Sequence, residues 1–150
     1  MLIIGVGNGY RGDDGVGPAI LALLREERSP GVRLLECDGD CSTLLDAWHG
    51  ADAVMLIDAV SSGAPPGTVY RFDALAQALP RAVSFQSTHA FGVAEALALG
   101  RTLGQLPASL IIYAVEGKTF TTGMGLSPEV ELAVYEIVQQ VKRDLTQVYM

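Results

Sequence analysis

The chain has 150 residues, 49% of them apolar and only 18% charged, and ten Lys and Arg against seventeen Asp and Glu leave a net charge of −7. A domain of this length buries about two-thirds of its unfolded surface, and the composition excludes a disordered chain, which needs low hydrophobicity and high charge. An acidic surface disfavours phosphate backbones and anionic membranes, so no nucleic-acid partner is expected.

Elements alternate along the chain. Leu2–Val6 is a short apolar run ending in glycines, without the basic region of a signal peptide, and reads as a first strand. Val16, Ala19, Ile20, Leu23 and Leu24 recur at helical spacing up to about Arg28. Val32–Cys37 predicts a second strand, followed by a short helix from a Ser42 cap through Trp48. With Cys37 and Cys41 the only cysteines, a disulfide framework is excluded and a reducing cytoplasmic setting is expected. Ala53–Ile57 predicts a third, buried strand that ends at Asp58. Ser61–Gly67 is rich in Ser, Gly and Pro but too short for a linker, and leads as a turn into an edge strand at Thr68–Phe72.

Ala90–Leu103 predicts a helix and Ser109–Val115 another buried strand. Ser127-Pro128-Glu129 has the cap, the first-turn proline and the acidic start of a last helix. Its apolar face runs through Val130, Val134, Ile137, Val138, Val141, Leu145 and Val148. No apolar run reaches the roughly 18 residues of a membrane span, so no membrane insertion is expected. The alternation predicts one α/β domain over residues 1–150. Its architecture is a three-layer sandwich: a mostly parallel sheet with helices on both faces and one antiparallel edge strand.

Such sheets bind ligands at the carboxyl ends of their strands, near the point where strand order reverses. Three segments fall there: Gly5–Gly17, Asp58–Val60 and Gln86–His89. The first opens like a dinucleotide fingerprint, with Asp38 after the second strand in place of a ribose-binding acid. Tyr10 replaces the third glycine, however, and Asp13 and Asp14 put carboxylates where a pyrophosphate would lie. Asp13 reads as a helix cap, which leaves Asp14 unexplained. Asp58 follows five apolar residues, where a carboxylate is desolvated unless it is paired, bound to a cation or capping a loop. His89 precedes a helix, a common place for a structural histidine. Together Asp14, Asp58 and His89 form a set of two carboxylates and one imidazole that suits a divalent transition metal with open positions. His49 reads as a surface residue, Cys37 and Cys41 as too sparse for a zinc site, and Lys118 as a solvated loop charge.

The ordered set Gly5-Val6-Gly7-Asn8, Gly12-Asp13-Asp14-Gly15-Val16-Gly17-Pro18, Asp38-Gly39, Ile57-Asp58-Ala59, Thr88-His89, Glu116-Gly117-Lys118 and Gly125–Val130 resembles the hydrogenase maturation proteases. These endopeptidases trim the C-terminal extension from the large subunit of nickel–iron hydrogenases. The resemblance implies a sheet sandwiched by helices and three metal-contacting residues, which fall on Asp14, Asp58 and His89. Many members carry Glu where this chain has Asp14, one methylene shorter. It further implies that the metal is nickel already carried by the substrate, with no tightly bound cofactor of the protein's own. The expected partner is a precursor of a nickel–iron hydrogenase large subunit. The trio is then catalytic as well as metal-contacting, whether a polarised carbonyl, a metal-bound water or a carboxylate base does the chemistry. No Ser or Cys nucleophile has a base partner in the sequence pattern. Two rival readings are a nickel-sensing maturation partner without protease activity and a nucleotide-binding α/β module.

Overall fold

A computed structural model describes residues 1–27, 29–76, 92–123 and 125–149. Apolar alternation and turn residues give the elements in chain order. Strand β1 (Leu2–Val6) leads through a 3-10 turn (Gly12–Gly15) into α1 (Val16–Glu27). Strand β2 (Arg33–Cys37), α2 (Cys41–Trp48), β3 (Ala53–Val60), β4 (Val69–Asp73), α3 (Val93–Leu103), β5 (Ser109–Glu116) and α4 (Pro128–Tyr149) follow. The sheet order is β2-β1-β3-β5-β4, with all neighbours parallel except β4 against β5. The chain leaves β1 for β2 on one side and later returns to place β3 on the other. Strand order therefore reverses between β1 and β3, and a ligand crevice opens at such a reversal.

Side-chain alternation along the strands splits the core in two. Ile4, Val6, Leu56 and Ile112 face Leu44, Trp48, Ala96 and Leu97 of α2 and α3. Ile3, Met55, Ile57 and Val115 face Ile20 and Leu21 of α1 and Val130, Ile137 and Val141 of α4. This is the expected three-layer sandwich with its antiparallel edge strand. Among the described residues, no helix is long and apolar enough to cross a membrane.

Three local expectations need correction. The cap of α2 is Asp40, not Ser42: the Asp40 carboxylate accepts from the Thr43 N–H and also accepts a hydrogen bond from the Ser42 hydroxyl at 2.6 Å. Strand β3 does not end at Asp58 but runs to Val60, with Asp58 paired to Ala114. On α1, Leu21 is fully buried while Ala19 and Leu23 are partly exposed, because the helix packs on both the sheet and α4 and needs a wider apolar stripe. On α4, the expected face is buried from Val130 to Leu145. The start of the Ala90–Leu103 helix before Gly92 lies outside the described residues.

Helix α1 sits so close to the sheet that Gly17 has no room for a side chain. A Cβ there would lie 2.6 Å from the Val6 carbonyl oxygen and 2.8 Å from the Val6 nitrogen, both backbone atoms. Gly17→Ala is expected to cost about 1–3 kcal/mol by overpacking and to lower the melting temperature by roughly 2–4 °C for each kcal/mol. Gly9→Ala, where a Cβ meets nothing within 4 Å, is expected to stay within about 0.5 kcal/mol of the parent. Thermal melts of the two variants check this.

Candidate active site

The β1–α1 connection is shaped by two close backbone approaches. Gly7 has a φ of 132° and a Cβ on it would overlap the Asp14 carbonyl oxygen at 1.9 Å. Gly12 has a φ of 57° and faces the Thr119 carbonyl oxygen at 2.5 Å from a hypothetical Cβ. Glycine is required at both places, since L side chains strain in this region and here would also collide. These contacts fold the turn so that Asp13 and Asp14 both point inward, 0% and 3% exposed.

Asp13 does not cap its own helix. Its Oδ1 accepts the Ser127 N–H at 2.7 Å, and its Oδ2 accepts from the Lys118 N–H at 2.7 Å, the Thr119 N–H at 3.1 Å and the Ser127 hydroxyl at 2.9 Å. The carboxylate is thus the anchor of the β5–α4 connection. Lys118 supplies its backbone to this anchor while its half-exposed ammonium pairs with Glu129 at 3.2 Å.

Asp14, buried in the same turn, has local partners. Its Oδ2 accepts the Asn8 N–H at 2.9 Å, and the Arg11 guanidinium lies at 4.0 Å. The Asn8 amide is one that a bound phosphate would need, so the carboxylate takes the anion position of the nucleotide-binding reading. Asp38 is exposed and lines a cleft of about 350 Å³ with Gly7–Arg11, Pro18, Glu36 and Cys37.

Asp58 is fully buried on the α2–α3 side of β3, by alternation with Leu56 and Val60. Its Oδ1 accepts the Ala59 N–H at 2.8 Å, whereas Oδ2 is buried without a hydrogen-bond partner among the described residues. Desolvation pushes the Asp58 carboxyl well above its ordinary 3.8, and the nearby Asp14 charge pushes it further against the smaller lowering from Ala59. Two carboxyl groups thus meet at the strand-order reversal, an arrangement that a proton or a cation eases.

His89, and with it the Gln86–His89 segment, lies outside the described residues. Among the described residues, no group of three His, Cys, Asp or Glu side chains is placed to hold a metal ion. His49 is exposed, as the sequence indicated. Cys37 and Cys41 are free, and both thiols are pushed up, first by burial and then by Asp38 and by Asp40 with Glu95 respectively. Neither is poised as a thiolate nucleophile.

Sequence reasoning missed Glu116 as a buried group. It is 2% exposed and accepts from the Ser62 N–H at 2.7 Å, the Ser62 hydroxyl at 2.8 Å and the Gly63 N–H at 2.9 Å. The signal was available: an acid closing an apolar strand run, the same pattern that singled out Asp58.

The geometry defines a class: a doubly covered α/β domain with a buried carboxyl pair at its strand-order reversal. The HycI hydrogenase maturation protease family model matches residues 20–144, and the chain belongs to that family. That match includes the positions of Asp58 and His89 and begins after Asp14. The hydrogenase expression/formation protein HupD of Thiocapsa roseopersicina is 29% identical over 152 residues, covering 98% of this chain and 68% of that protein. HupM of Azotobacter chroococcum mcd 1, also a hydrogenase expression/formation protein, is 34% identical over 122 residues, covering 77% of this chain and 56% of its own length. The chain therefore spans little more than half to two-thirds of these relatives. The solved structure of the hydrogenase maturating endopeptidase HybD from E. coli superposes with a TM-score of 0.78 at 27% identity, covering 98% of this chain and 92% of that one.

Asp58 makes the fold less stable as it ionises. The folded state holds its proton to higher pH than the unfolded state, so stability is lost as pH rises above about 4 toward the raised folded value. Asp58→Asn is expected to melt higher than the parent at pH 7, with the advantage shrinking as pH falls toward 4. Asp13→Asn should do the opposite, losing about 3 kcal/mol or more by turning an N–H₂ toward buried donors. Thermal melts across pH 4–8 read both.

Proposed function

We propose that this protein is an endopeptidase that removes the C-terminal extension of a nickel–iron hydrogenase large-subunit precursor after nickel insertion. Asp14, Asp58 and His89 dock onto the nickel of the substrate and are both its ligands and the catalytic set. The observation that carries this reading is the buried Oδ2 of Asp58, without a hydrogen-bond partner among the described residues, near the Asp14 charge. A divalent ion between these groups supplies the missing partner and relieves the repulsion that otherwise demands a proton. Membership of the hydrogenase maturation protease family supports the substrate class and the peptidase chemistry.

The chain's own residues divide the work. Asn8 donates its backbone N–H to Asp14 and fixes one carboxylate oxygen, leaving the other to bind. Asp58 is held by the Ala59 N–H through one oxygen and presents the second. Burial on both sides keeps bulk water from competing for these oxygens. A metal in this position polarises a carbonyl or acidifies a water. Hydrolysis then adds water across one peptide bond, leaving a new carboxylate on the large subunit and an amine on the released extension.

An oxygen-rich set with one imidazole holds nickel less firmly than thiolates do, so the ion belongs to the substrate and the protein needs no resident cofactor. Recognition of an installed nickel makes cleavage a check that metal assembly is finished. Free Cys37 and Cys41 fit a reducing, cytoplasmic place of work.

Mass spectrometry of the precursor C-terminus, with and without this protein, is the test. Nickel-loaded precursor is expected to lose its extension, and nickel-free precursor to keep it even when nickel is offered to the protease alone. Asp14→Asn and His89→Ala should keep the circular-dichroism spectrum and lose processing. Purified protein should be largely metal-free, with weak binding of added divalent ions that fades as acid protonates His89. Stoichiometric zinc with activity on nickel-free precursor would overturn the substrate-nickel reading, and a stable complex without cleavage would overturn the peptidase reading.

A further inference from the structure

Strand β2 is an edge of the sheet, pairing among the described residues with β1 alone. The Arg33 N–H donates to the Met1 carbonyl at 3.0 Å, and the Cys37 carbonyl accepts the Gly7 N–H at 2.9 Å. Residues 33, 35 and 37 therefore turn their backbone groups toward β1. Strand alternation turns those of Leu34 and Glu36 outward. Two donors and two acceptors thus stand in a row along the open side, at the spacing an extended peptide matches. Leu35 adds an exposed apolar side chain on the same stretch.

This open row leads into the candidate site. The end of β2, through Glu36, Cys37 and Asp38, forms one wall of the 350 Å³ cleft, and Gly7–Arg11 of the β1–α1 turn form another. Asn8 and Arg11 of that second wall are the residues that contact Asp14. A chain laid along β2 and continued past Cys37 passes into the cleft whose far wall, Asn8 and Arg11, touches Asp14. The other edge, β4, is separated from β1 by both β3 and β5.

We infer that β2 binds the C-terminal extension of the precursor as an added strand, paired through the outward backbone groups of Leu34 and Glu36. The inference rests on the peptidase reading for the identity of the peptide. Backbone pairing holds a segment of almost any sequence in extended form, so it supplies grip while the metal site supplies position. An extended peptide is also the form in which a scissile bond is separated from its neighbours and open to attack. Edge charges at Arg33 and Glu36 guard the strand against self-pairing in the meantime.

Residue-resolved hydrogen exchange of the full chain tests this. The probe is a nickel-loaded large-subunit precursor, compared with the same subunit lacking its extension, with cleavage followed in parallel. Amides of Leu34 and Glu36 are expected to exchange about fivefold more slowly with the extended form only, as one net hydrogen bond each implies. Unchanged exchange at both amides while cleavage proceeds overturns the added strand and leaves the peptidase reading standing. Slowing without cleavage keeps the added strand and overturns the peptidase reading, and neither effect overturns both. Slowing by both forms of the subunit places the contact with its body and overturns the proposal. As a second arm, Glu36→Pro removes one outward N–H and no bond to β1, which an edge strand tolerates. It should raise KM for the precursor by about fivefold. An unaltered KM in the folded variant counts against the added strand, and exchange in the parent protein decides if the variant does not fold.

Discussion

The turn that carries Asp14 leans on the buried carboxylate of Asp13 and the four donors it gathers. One oxygen takes the Ser127 N–H, and the other takes two backbone N–H groups and a hydroxyl. These donors come from the β5–α4 connection and the start of α4, whereas Asp13 belongs to the β1–α1 turn. One side chain therefore welds the first connection of the fold to the last. Its neighbour Asp14 makes only local contacts, with the Asn8 N–H and the Arg11 guanidinium, so the Asp-Asp pair divides into a long-range anchor and a locally held carboxylate. Buried charge of this kind is tolerated because every lone pair with a donor in reach is used.

Asp58, on β3, shows the opposite arrangement. Among the described residues it has one local hydrogen bond and no partner for its second oxygen, and a second carboxylate is near enough to resist its ionisation. A fold under selection for stability alone would fill that position with an apolar residue, as it does along the rest of β3. The contrast separates a carboxylate that holds the structure from one that the structure holds ready. Functional groups are where local rules for stability are broken.

Most of the architecture was legible because it follows from periodicity. Apolar runs marked β1, β3 and β5, and the Ser127-Pro128-Glu129 start located α4 to the residue. Placement at strand ends was enough to select Asp14 and Asp58, which the structure puts on neighbouring elements at the strand-order reversal. What periodicity cannot express is long-range hydrogen bonding. Asp13 looked like a cap because a helix follows it, yet its partners lie more than a hundred residues away. Glu116 and Asp40 were passed over for a related reason, since an acid's partners are set by which backbone amides the fold brings near. The end of β3 was misplaced because Asp58 breaks the apolar pattern while its backbone continues the ladder to Val60. His89 was selected by the same reasoning as the two aspartates, and its place lies outside the described residues.

The Asp13 anchor also sets an order of events during synthesis. Asp13 leaves the ribosome 114 residues ahead of Ser127, and at about 5–20 residues per second the wait is roughly 6–23 s. Through that interval the Asp13 carboxylate lacks its four native donors, and the turn that carries Asp14 is held by its local hydrogen bonds alone. The site is therefore assembled by the last helix rather than the first strand. A nascent chain carries Asp13 and Asp14 long before the last connection arrives to lock their turn in place.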